Sequence, residues 1–153
     1  MYRLKTNRFA SQPTPTAYEV QETIHIPIRN RDDIVIACQK GRVFASQLGF
    51  SGDEQAIVVI AVSEVANNIV HYAGEGEILL LAVEQDARSG VSIVAHDNGP
   101  GIPDIDRALQ DGYSTGGGLG MGLSGIKRLT DEFEIVSQVG QGTTIKITKW
   151  RIR

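Results

Sequence analysis

The chain has 153 residues, of which 41% are hydrophobic and 22% charged, a composition typical of one globular domain with a buried core. Eighteen acidic and fifteen basic side chains give a formal net charge of −3, which argues against the broad positive surface of a nucleic-acid-binding protein. The longest unbroken apolar run, Ala56 to Val62, is far shorter than the roughly 20 residues of a membrane-spanning helix. We therefore expect neither nucleic acid nor a membrane among its partners.

Residues 1–17 show no apolar periodicity, and they contain two prolines and no acidic side chain. We interpret residues 1–17 as a disordered tail and residues 18–153 as a single domain. The basic residues near the start are not followed by the apolar stretch of a secretory signal, which favours a cytoplasmic protein. The single cysteine, Cys38, falls among apolar helical positions and is expected to be a small core residue.

The first predicted elements are a strand and a helix. After Tyr18, apolar residues alternate with polar ones through Ile24 to Ile28, the period of a strand with one buried face. Pro27 places this strand at an edge of its sheet, because proline cannot donate a hydrogen bond to a neighbouring strand. Apolar residues at helical spacing from Ile34 to Leu48 then predict a helix that stops at Gly49.

A longer helix and a hairpin follow. Ser51 and Glu54 have the spacing of a capping box, which predicts a helix that begins there and ends at about Tyr72. Beyond it, two runs typical of strands are joined by a polar turn around residues 88–90: Glu77 to Glu84 and Val91 to Ala95.

The last part of the chain contains two predicted helices, at residues 104–110 and 119–131, and a closing hairpin of strands at residues 134–139 and 143–150. Because the helices are grouped rather than alternating with every strand, the pattern indicates an α+β two-layer sandwich. We expect a mixed, mostly antiparallel sheet that is covered by helices on one face.

The long helix carries a polar stripe on an otherwise apolar surface. Glu64, Asn67, Asn68 and His71 stand at i, i+3, i+4 and i+7, which places them on one side of the helix. Such a stripe could face solvent or a buried hydrogen-bond network. The stripe could also form a catalytic or metal-binding site, because a carboxylate can accept a proton from a nucleophile and an amide oxygen can bind a hard cation such as Mg²⁺.

Two glycine-containing segments follow predicted strands or open predicted helices. Asp97-Asn98-Gly99-Pro100-Gly101-Ile102 comes directly after a strand, where its carboxylate could accept a hydrogen bond from an exocyclic amine such as that of adenine. The same string is also a common tight turn. Residues 114–123 are rich in glycine and lead into a helix, so their backbone N–H groups could hold phosphate oxygens, although a flexible linker has a similar composition.

These features, in this order, resemble the sequence boxes of the GHKL superfamily of ATPases and kinases, whose nucleotide site is the Bergerat fold. Glu64 with Asn68 resembles the N box of that superfamily, and residues 142–143 resemble its last box. Between them, residues 97–101 resemble the first glycine box and residues 118–122 the second. The resemblance covers nearly everything after the predicted tail, and it implies the Bergerat ATP-binding fold.

Within the superfamily, the chain is most similar to the group formed by RsbT-type switch serine kinases and RsbW-like anti-sigma factors. The runs that carry this similarity are residues 61–64, 97–105, 111–115 and 127–133. Asn67 departs from the pattern, because the switch kinases usually carry an arginine there. A histidine kinase core is a more distant alternative, since the chain leaves no room for a dimerising helical hairpin.

The resemblance implies a protein serine/threonine kinase that uses ATP and Mg²⁺. Glu64 would be the general base, Asn68 would hold Mg²⁺ on the triphosphate, and Asp97 would bind the adenine amine with Thr143 beside it. The other residues implied in nucleotide binding are Gly99, Gly101, Ile102, Ser114, Thr115, Gly116, Gly117, Gly118, Leu119, Gly120, Met121, Gly122 and Leu123.

The resemblance also implies protein partners. For a switch kinase, the substrate would be a STAS-domain antagonist of the RsbS/RsbR type, and the output protein activated afterwards would be one such as a phosphatase. The alternative is an anti-sigma factor, which sequesters a sigma factor and phosphorylates its antagonist. Both functions would use the same pocket, so the pocket residues do not discriminate between them.

Overall fold

The computed structural model describes residues 18–110 and 122–152. The predicted tail and most of the second glycine-rich segment therefore lie outside the described residues. The nine elements found in the described part are β1 Glu19–Ile28, α1 Arg31–Gln47, α2 Gly52–Tyr72, β2 Gly76–Gln85, β3 Arg88–Asp97, α3 Ile105–Ala108, α4 Gly122–Leu129, β4 Glu132–Gln138 and β5 Gly142–Trp150.

The strands form one five-stranded sheet in the order β1-β2-β3-β5-β4. All four pairings are antiparallel, so the sheet is not mixed, and β1 is an edge strand as predicted. Leu80 of β2 and Ile93 of β3 are buried in one core with Val62 and Val65 of α2. The two-layer α+β sandwich is confirmed. In the described residues, no helix is long and apolar enough to cross a membrane.

The opposite face of the sheet has its own small polar and aromatic cluster. Ser92 and Thr148 are fully buried, and their hydroxyl oxygens lie 2.8 Å apart. The Tyr18 ring meets Trp150 edge-on at 5.3 Å between centroids, and the Arg88 guanidinium lies 4.0 Å from the centroid of the same indole ring. Tyr18, the first residue after the predicted tail, thus belongs to the folded domain.

The turn between β2 and β3 lies earlier than the sequence indicated. The two strands are paired as far as Gln85 and Arg88, so the turn is Asp86-Ala87 rather than residues 88–90. Both turn residues have positive φ, 52° for Asp86 and 66° for Ala87. A two-residue hairpin turn with this twist is usually made by Asn-Gly or Asp-Gly, and Asp-Ala lacks that signature.

The predicted capping box is confirmed, and it has a further role. The Ser51 hydroxyl accepts from the Glu54 N–H at 3.2 Å, and Glu54 Oε1 accepts from the Ser51 N–H at 2.9 Å. The second carboxylate oxygen, Oε2, accepts from the N–H of Ile152 at 2.6 Å. Glu54 therefore joins the start of α2 to the segment that follows β5.

Glu54→Ala is expected to lower the free energy of unfolding by about 3 kcal/mol, because two backbone N–H groups lose an ionised acceptor. Burial alone raises the pKa of Glu54, but the hydrogen bonds from Ser51 and Ile152, with the charge of Lys149, lower it overall. At pH values above the ordinary pKa of glutamate, the carboxylate thus stabilises the fold. This contribution to stability is lost as the pH falls through the lowered pKa of Glu54.

Urea unfolding from neutral to acidic pH measures this effect. Asp53→Ala, at the exposed neighbouring position, serves as the control and is expected to stay within about 0.5 kcal/mol of the unsubstituted protein. If Glu54→Ala showed the same loss of stability on acidification as the unsubstituted protein, Glu54 would not be the titrating group.

Candidate functional site

The polar stripe of α2 is mostly buried. Glu64, Asn67 and Asn68 are 1%, 6% and 4% exposed, whereas His71 is exposed and lies edge-on to the Tyr72 ring. A solvent-facing stripe is therefore excluded for the first three residues. Asn67 Nδ2 donates to the carbonyl oxygen of Ser63 at 2.8 Å, within its own helix.

Glu64 differs from Asn67 in its contacts. Its Oε1 atom is buried and has no hydrogen-bond partner among the described residues. Leaving a buried carboxylate oxygen without a partner is costly, so native proteins rarely do it unless the group has a chemical task or meets a ligand. The Oε1 atom is therefore available to accept a hydrogen bond or a proton from a bound group.

Asp97 lies at the end of β3, beside the start of β5. Its backbone pairs with Thr143, and its side chain is only 5% exposed. The Oδ1 atom accepts from the Gly99 N–H at 2.9 Å. A narrow cleft between α2 and the sheet brings Asp97 and Thr143 together with Asn68 and Ile102, on apolar walls that include Val65. Residues that are far apart in the sequence thus line the same cleft.

The loop that follows Asp97 needs its glycines for close packing. Gly101 has a φ of +84°, and a Cβ atom there would lie 2.5 Å from the carbonyl oxygen of Gln138. At Gly99, a Cβ atom would lie 2.5 Å from the Cβ of Ala73, just beyond α2. The Gly140 N–H also donates to the carbonyl oxygen of Pro100 at 2.8 Å. The loop is therefore held between the end of α2 and the β4–β5 turn.

Ser137 on β4 is a residue of this site that the sequence did not single out. It is 3% exposed, and its Oγ atom lies 2.7 Å from Thr143 Oγ1. The Ile102 N–H donates to the same Oγ atom at 2.7 Å. The available signal was a polar residue in register with the buried Phe133 and Ile135, on the face of β4 that points to the core.

The second glycine-rich segment is described only from its last residues. Gly122 begins α4 with a φ of +67°, and Leu123 is 2% exposed. The buried Ser124 Oγ has no hydrogen-bond partner among the described residues. Eight candidate residues lie outside the described part of the chain: Ser114, Thr115, Gly116, Gly117, Gly118, Leu119, Gly120 and Met121.

The similarity of the sequence to a known domain family decides the family. Residues 29–149 match the model of the histidine kinase-like ATPase domain, which is most of the chain. The chain belongs to this family of ATPase domains. The fold observed here, with α2 packed on an antiparallel sheet and a polar cleft between them, is the architecture expected from the GHKL resemblance.

Two kinds of relatives of this ATPase domain are informative. The serine/threonine-protein kinase RsbT of Bacillus subtilis is 51% identical over 118 residues, which are 77% of this chain and 89% of that protein. The anti-sigma F factor of Caldanaerobacter subterraneus is 32% identical over 111 residues, 70% of this chain and 78% of that protein. The anti-sigma F factor of Bacillus cytotoxicus is 35% identical over 114 residues, which are 70% of this chain and 77% of that protein.

Proposed function

We propose that this ATPase domain is a Mg²⁺- and ATP-dependent protein serine/threonine kinase of a bacterial partner-switching pathway. Its substrate would be a STAS-domain antagonist, and it would then activate an output protein such as a phosphatase. The observation that carries this proposal is Glu64, a buried carboxylate with an oxygen that has no partner among the described residues. The 51% identity to a serine/threonine-protein kinase supports the same function.

The chemistry of the residues that line the cleft suits an adenine base. A carboxylate only accepts hydrogen bonds, so Asp97 can receive the exocyclic amine of adenine and would repel a carbonyl oxygen at that position. Thr143 supplies a hydroxyl beside it, and Val65 and Ile145 supply apolar surface for the ring. Gly99, Gly101 and Ile102 would then form the backbone wall of the base-binding part of the site.

Asp97→Asn is expected to stabilise the empty protein and to weaken ATP binding by about tenfold or more. Burial raises the pKa of Asp97, only partly offset by the backbone N–H groups of Gly99 and Thr143 and by the nearby His96, so its ionised form is disfavoured in the fold. Asparagine removes this charge and can keep the Gly99 hydrogen bond, but its NH₂ group would face the adenine amine, donor against donor.

Thermal unfolding and calorimetric titration with ATP measure the two effects. Because the pKa is raised, the unsubstituted protein loses stability relative to the asparagine variant as pH rises through the raised value. The difference in stability should therefore be largest at neutral pH and disappear at acidic pH. Unchanged ATP affinity in Asp97→Asn would remove Asp97 from the base-binding site.

Phosphoryl transfer would use the two buried polar residues of α2. Glu64 would accept the proton of a substrate serine hydroxyl, while that oxygen forms a bond to the γ-phosphorus and the bond to the ADP oxygen breaks. Asn68 would bind Mg²⁺ through its amide oxygen, with the remaining ligands from phosphate and water, as is usual for this ion. The bound ion would neutralise charge that develops on the phosphates.

The phosphates would be held by the second glycine-rich segment, residues 114–123. Its last two residues begin α4, where backbone N–H groups that have no partner within the helix favour an anion. Gly122 adopts the left-handed φ that lets the chain turn into this helix. We extend the proposal to Ser114 through Leu123 on this basis and on the family resemblance.

A second candidate function is that of an anti-sigma factor, and the anti-sigma F factors at 32% to 35% identity favour it. Such a protein would sequester a sigma factor and use the same kinase site to phosphorylate its antagonist. Affinity purification from the native cell distinguishes the two: a sigma factor bound to the protein supports this alternative, and a STAS-domain protein with a phosphatase supports the switch kinase.

The central experiment combines the purified protein with a purified STAS-domain protein, Mg²⁺ and ATP labelled at the γ-phosphate. We expect label on a serine or threonine of the STAS-domain protein and none when EDTA removes Mg²⁺. The control is calorimetric titration with ATP in the absence of the partner. Binding of ATP without any transfer to STAS-domain proteins would contradict the kinase function while leaving the nucleotide site intact.

A further inference from the structure

The second face of the sheet is buried at positions where no described helix covers it. All four described helices contribute to the core on the first face, which includes Leu80 of β2. Val83 and Trp150 are 2% and 6% exposed, yet they do not belong to that core. Ser92 and Thr148, on the same side as these two residues, are 0% exposed. We call this second side of the sheet the open face.

The sequence of β2 is typical of a strand that is covered on both faces. Its residues 78–83, Ile-Leu-Leu-Leu-Ala-Val, form an unbroken apolar run. Successive side chains of a strand point to opposite faces, so a strand with one face in water alternates apolar and polar residues. Leu80 points to the core, whereas Leu79 and Leu81 lie on the open face and are partly exposed. β2 therefore presents apolar side chains to whatever covers the open face.

The first described residue already lies on the open face. Tyr18 directly precedes β1, which is one edge of the sheet. Its hydroxyl nevertheless donates to Glu132 of β4, the strand at the other edge. The Tyr18 ring contacts Trp150 and lies 5.1 Å from the Nζ atom of Lys146, both on β5. The chain before Tyr18 therefore joins the domain on this face, beside β4 and β5.

We propose that residues 1–17 pack on the open face and cover the apolar side chains of β2. A segment of 17 residues can extend over about 56 Å, whereas five strands are about 19 Å wide from the first to the last, so the segment is long enough to cross the sheet. This assignment replaces the interpretation of residues 1–17 as a disordered tail. The apolar side chains that the segment would place on β2 are Tyr2, Leu4 and Phe9.

The charges of the segment and of the domain are complementary. The segment has no acidic side chain, and its three basic ones are Arg3, Lys5 and Arg8. Residues 18–153 hold the 18 acidic and the other 12 basic side chains, a formal net charge of −6. Glu132 and Glu134 are two of these acidic residues, on the open face of β4. A second copy of the chain would instead bring one acidic domain against another, which opposes association.

The test measures how fast a thiol on the open face reacts with N-ethylmaleimide in the full-length chain. Cys38→Ser removes the native thiol, and Leu81→Cys introduces one on β2. We expect the reaction to become about tenfold faster or more when Arg3, Lys5 and Arg8 are all replaced by glutamate, because repulsion would then displace the segment. Replacing Leu4 and Phe9 by serine, without a change of charge, should also increase the rate.

Three controls separate displacement of the segment from other effects. Exchanging lysine and arginine at positions 3, 5 and 8 keeps the charge and should leave the rate unchanged. A thiol introduced by Val139→Cys, at a position that is 67% exposed, should react at the same rate in every version of the segment. Val94→Cys repeats the measurement at a second position, on β3 of the open face.

Two results would overturn the inference. The first is an equal reaction rate at positions 81 and 94 whether or not the segment is substituted. The second is protection that belongs to a dimer and is lost on dilution, as followed by light scattering, because a second copy would then cover the open face. Neither measurement involves ATP, so failure of the proposed function would leave this inference standing.

Discussion

Glu64→Gln is expected to lower the rate of phosphoryl transfer by about 10²- to 10⁴-fold, the usual contribution of a general base, and to leave ATP binding intact. Glutamine has nearly the same shape as glutamate but cannot take up the serine proton. Since Glu64 Oε1 makes no hydrogen bond in the described structure, the substitution breaks none there. Single-turnover transfer to a STAS-domain protein measures the rate, and calorimetry measures the affinity for ATP.

The control for this experiment is Asn67→Ala on the same buried stripe. Asn67 donates to the carbonyl oxygen of Ser63 in its own helix, so its removal should affect stability more than transfer. We also expect Glu64→Ala to resemble Glu64→Gln, because both lack the carboxylate. If either Glu64 variant transferred the phosphoryl group at the rate of the unsubstituted protein, Glu64 would not be the general base.

Gly142→Ala is expected to have the largest effect on stability among single methyl additions at the site. Gly142 has a φ of +112°, and a Cβ atom there would lie 2.1 Å from the carbonyl oxygen of Asp97 and 2.9 Å from the Cα of Asn98. Both neighbours are backbone atoms, which cannot rotate away. We expect a loss of about 4 kcal/mol of unfolding free energy and a loss of ATP binding, because β3 and β5 must separate beside Asp97.

Gly140→Ala provides a matched comparison in the same turn. Gly140 has a φ of +85°, but among the described residues no atom beyond its two chain neighbours lies within 4 Å of the position of its added Cβ. The Gly140→Ala variant should therefore lose only about 1 kcal/mol of unfolding free energy, because alanine is strained in the left-handed backbone conformation, and it should keep its affinity for ATP. Chemical unfolding of both variants measures the difference. Similar unfolding free energies for the two would show that the contact with Asp97 is not what requires glycine at position 142.

The parts of the fold that were predictable are those with strong local signals. The capping box at Ser51 and Glu54 fixed the start of α2, and the left-handed Gly49 marked the end of α1. The turn at Asp86-Ala87 was placed too late in the chain because neither residue is a glycine or an asparagine. The two hairpins, β2–β3 and β4–β5, were predicted from local patterns, whereas the pairings of β1 with β2 and of β3 with β5 depend on contacts distant in the sequence, which local patterns do not report.

The candidate site was predictable where residue type itself indicates chemistry. Glu64 and Asn68 were singled out by helical spacing, and Asp97 by its position after a strand. In the structure, Asn68 and Asp97 line one cleft, and Glu64 is buried one turn earlier on the same helix; their roles stay predictions. Ser137 was missed because a lone serine carries no chemical signature until its neighbours are known. Its partners, Ile102 and Thr143, reach it only after β4 and β5 have paired.

The position of β5 in the sheet has a consequence for the order of folding. β5 is the last strand in the sequence, yet it lies between β3 and β4, and it supplies Thr143 opposite Asp97. During synthesis, β3 therefore has an unpaired edge until β5 has left the ribosome. The cleft beside Asp97 is completed only when β5 inserts between β3 and β4, so a ligand of this cleft would stabilise only chains in which that insertion has taken place.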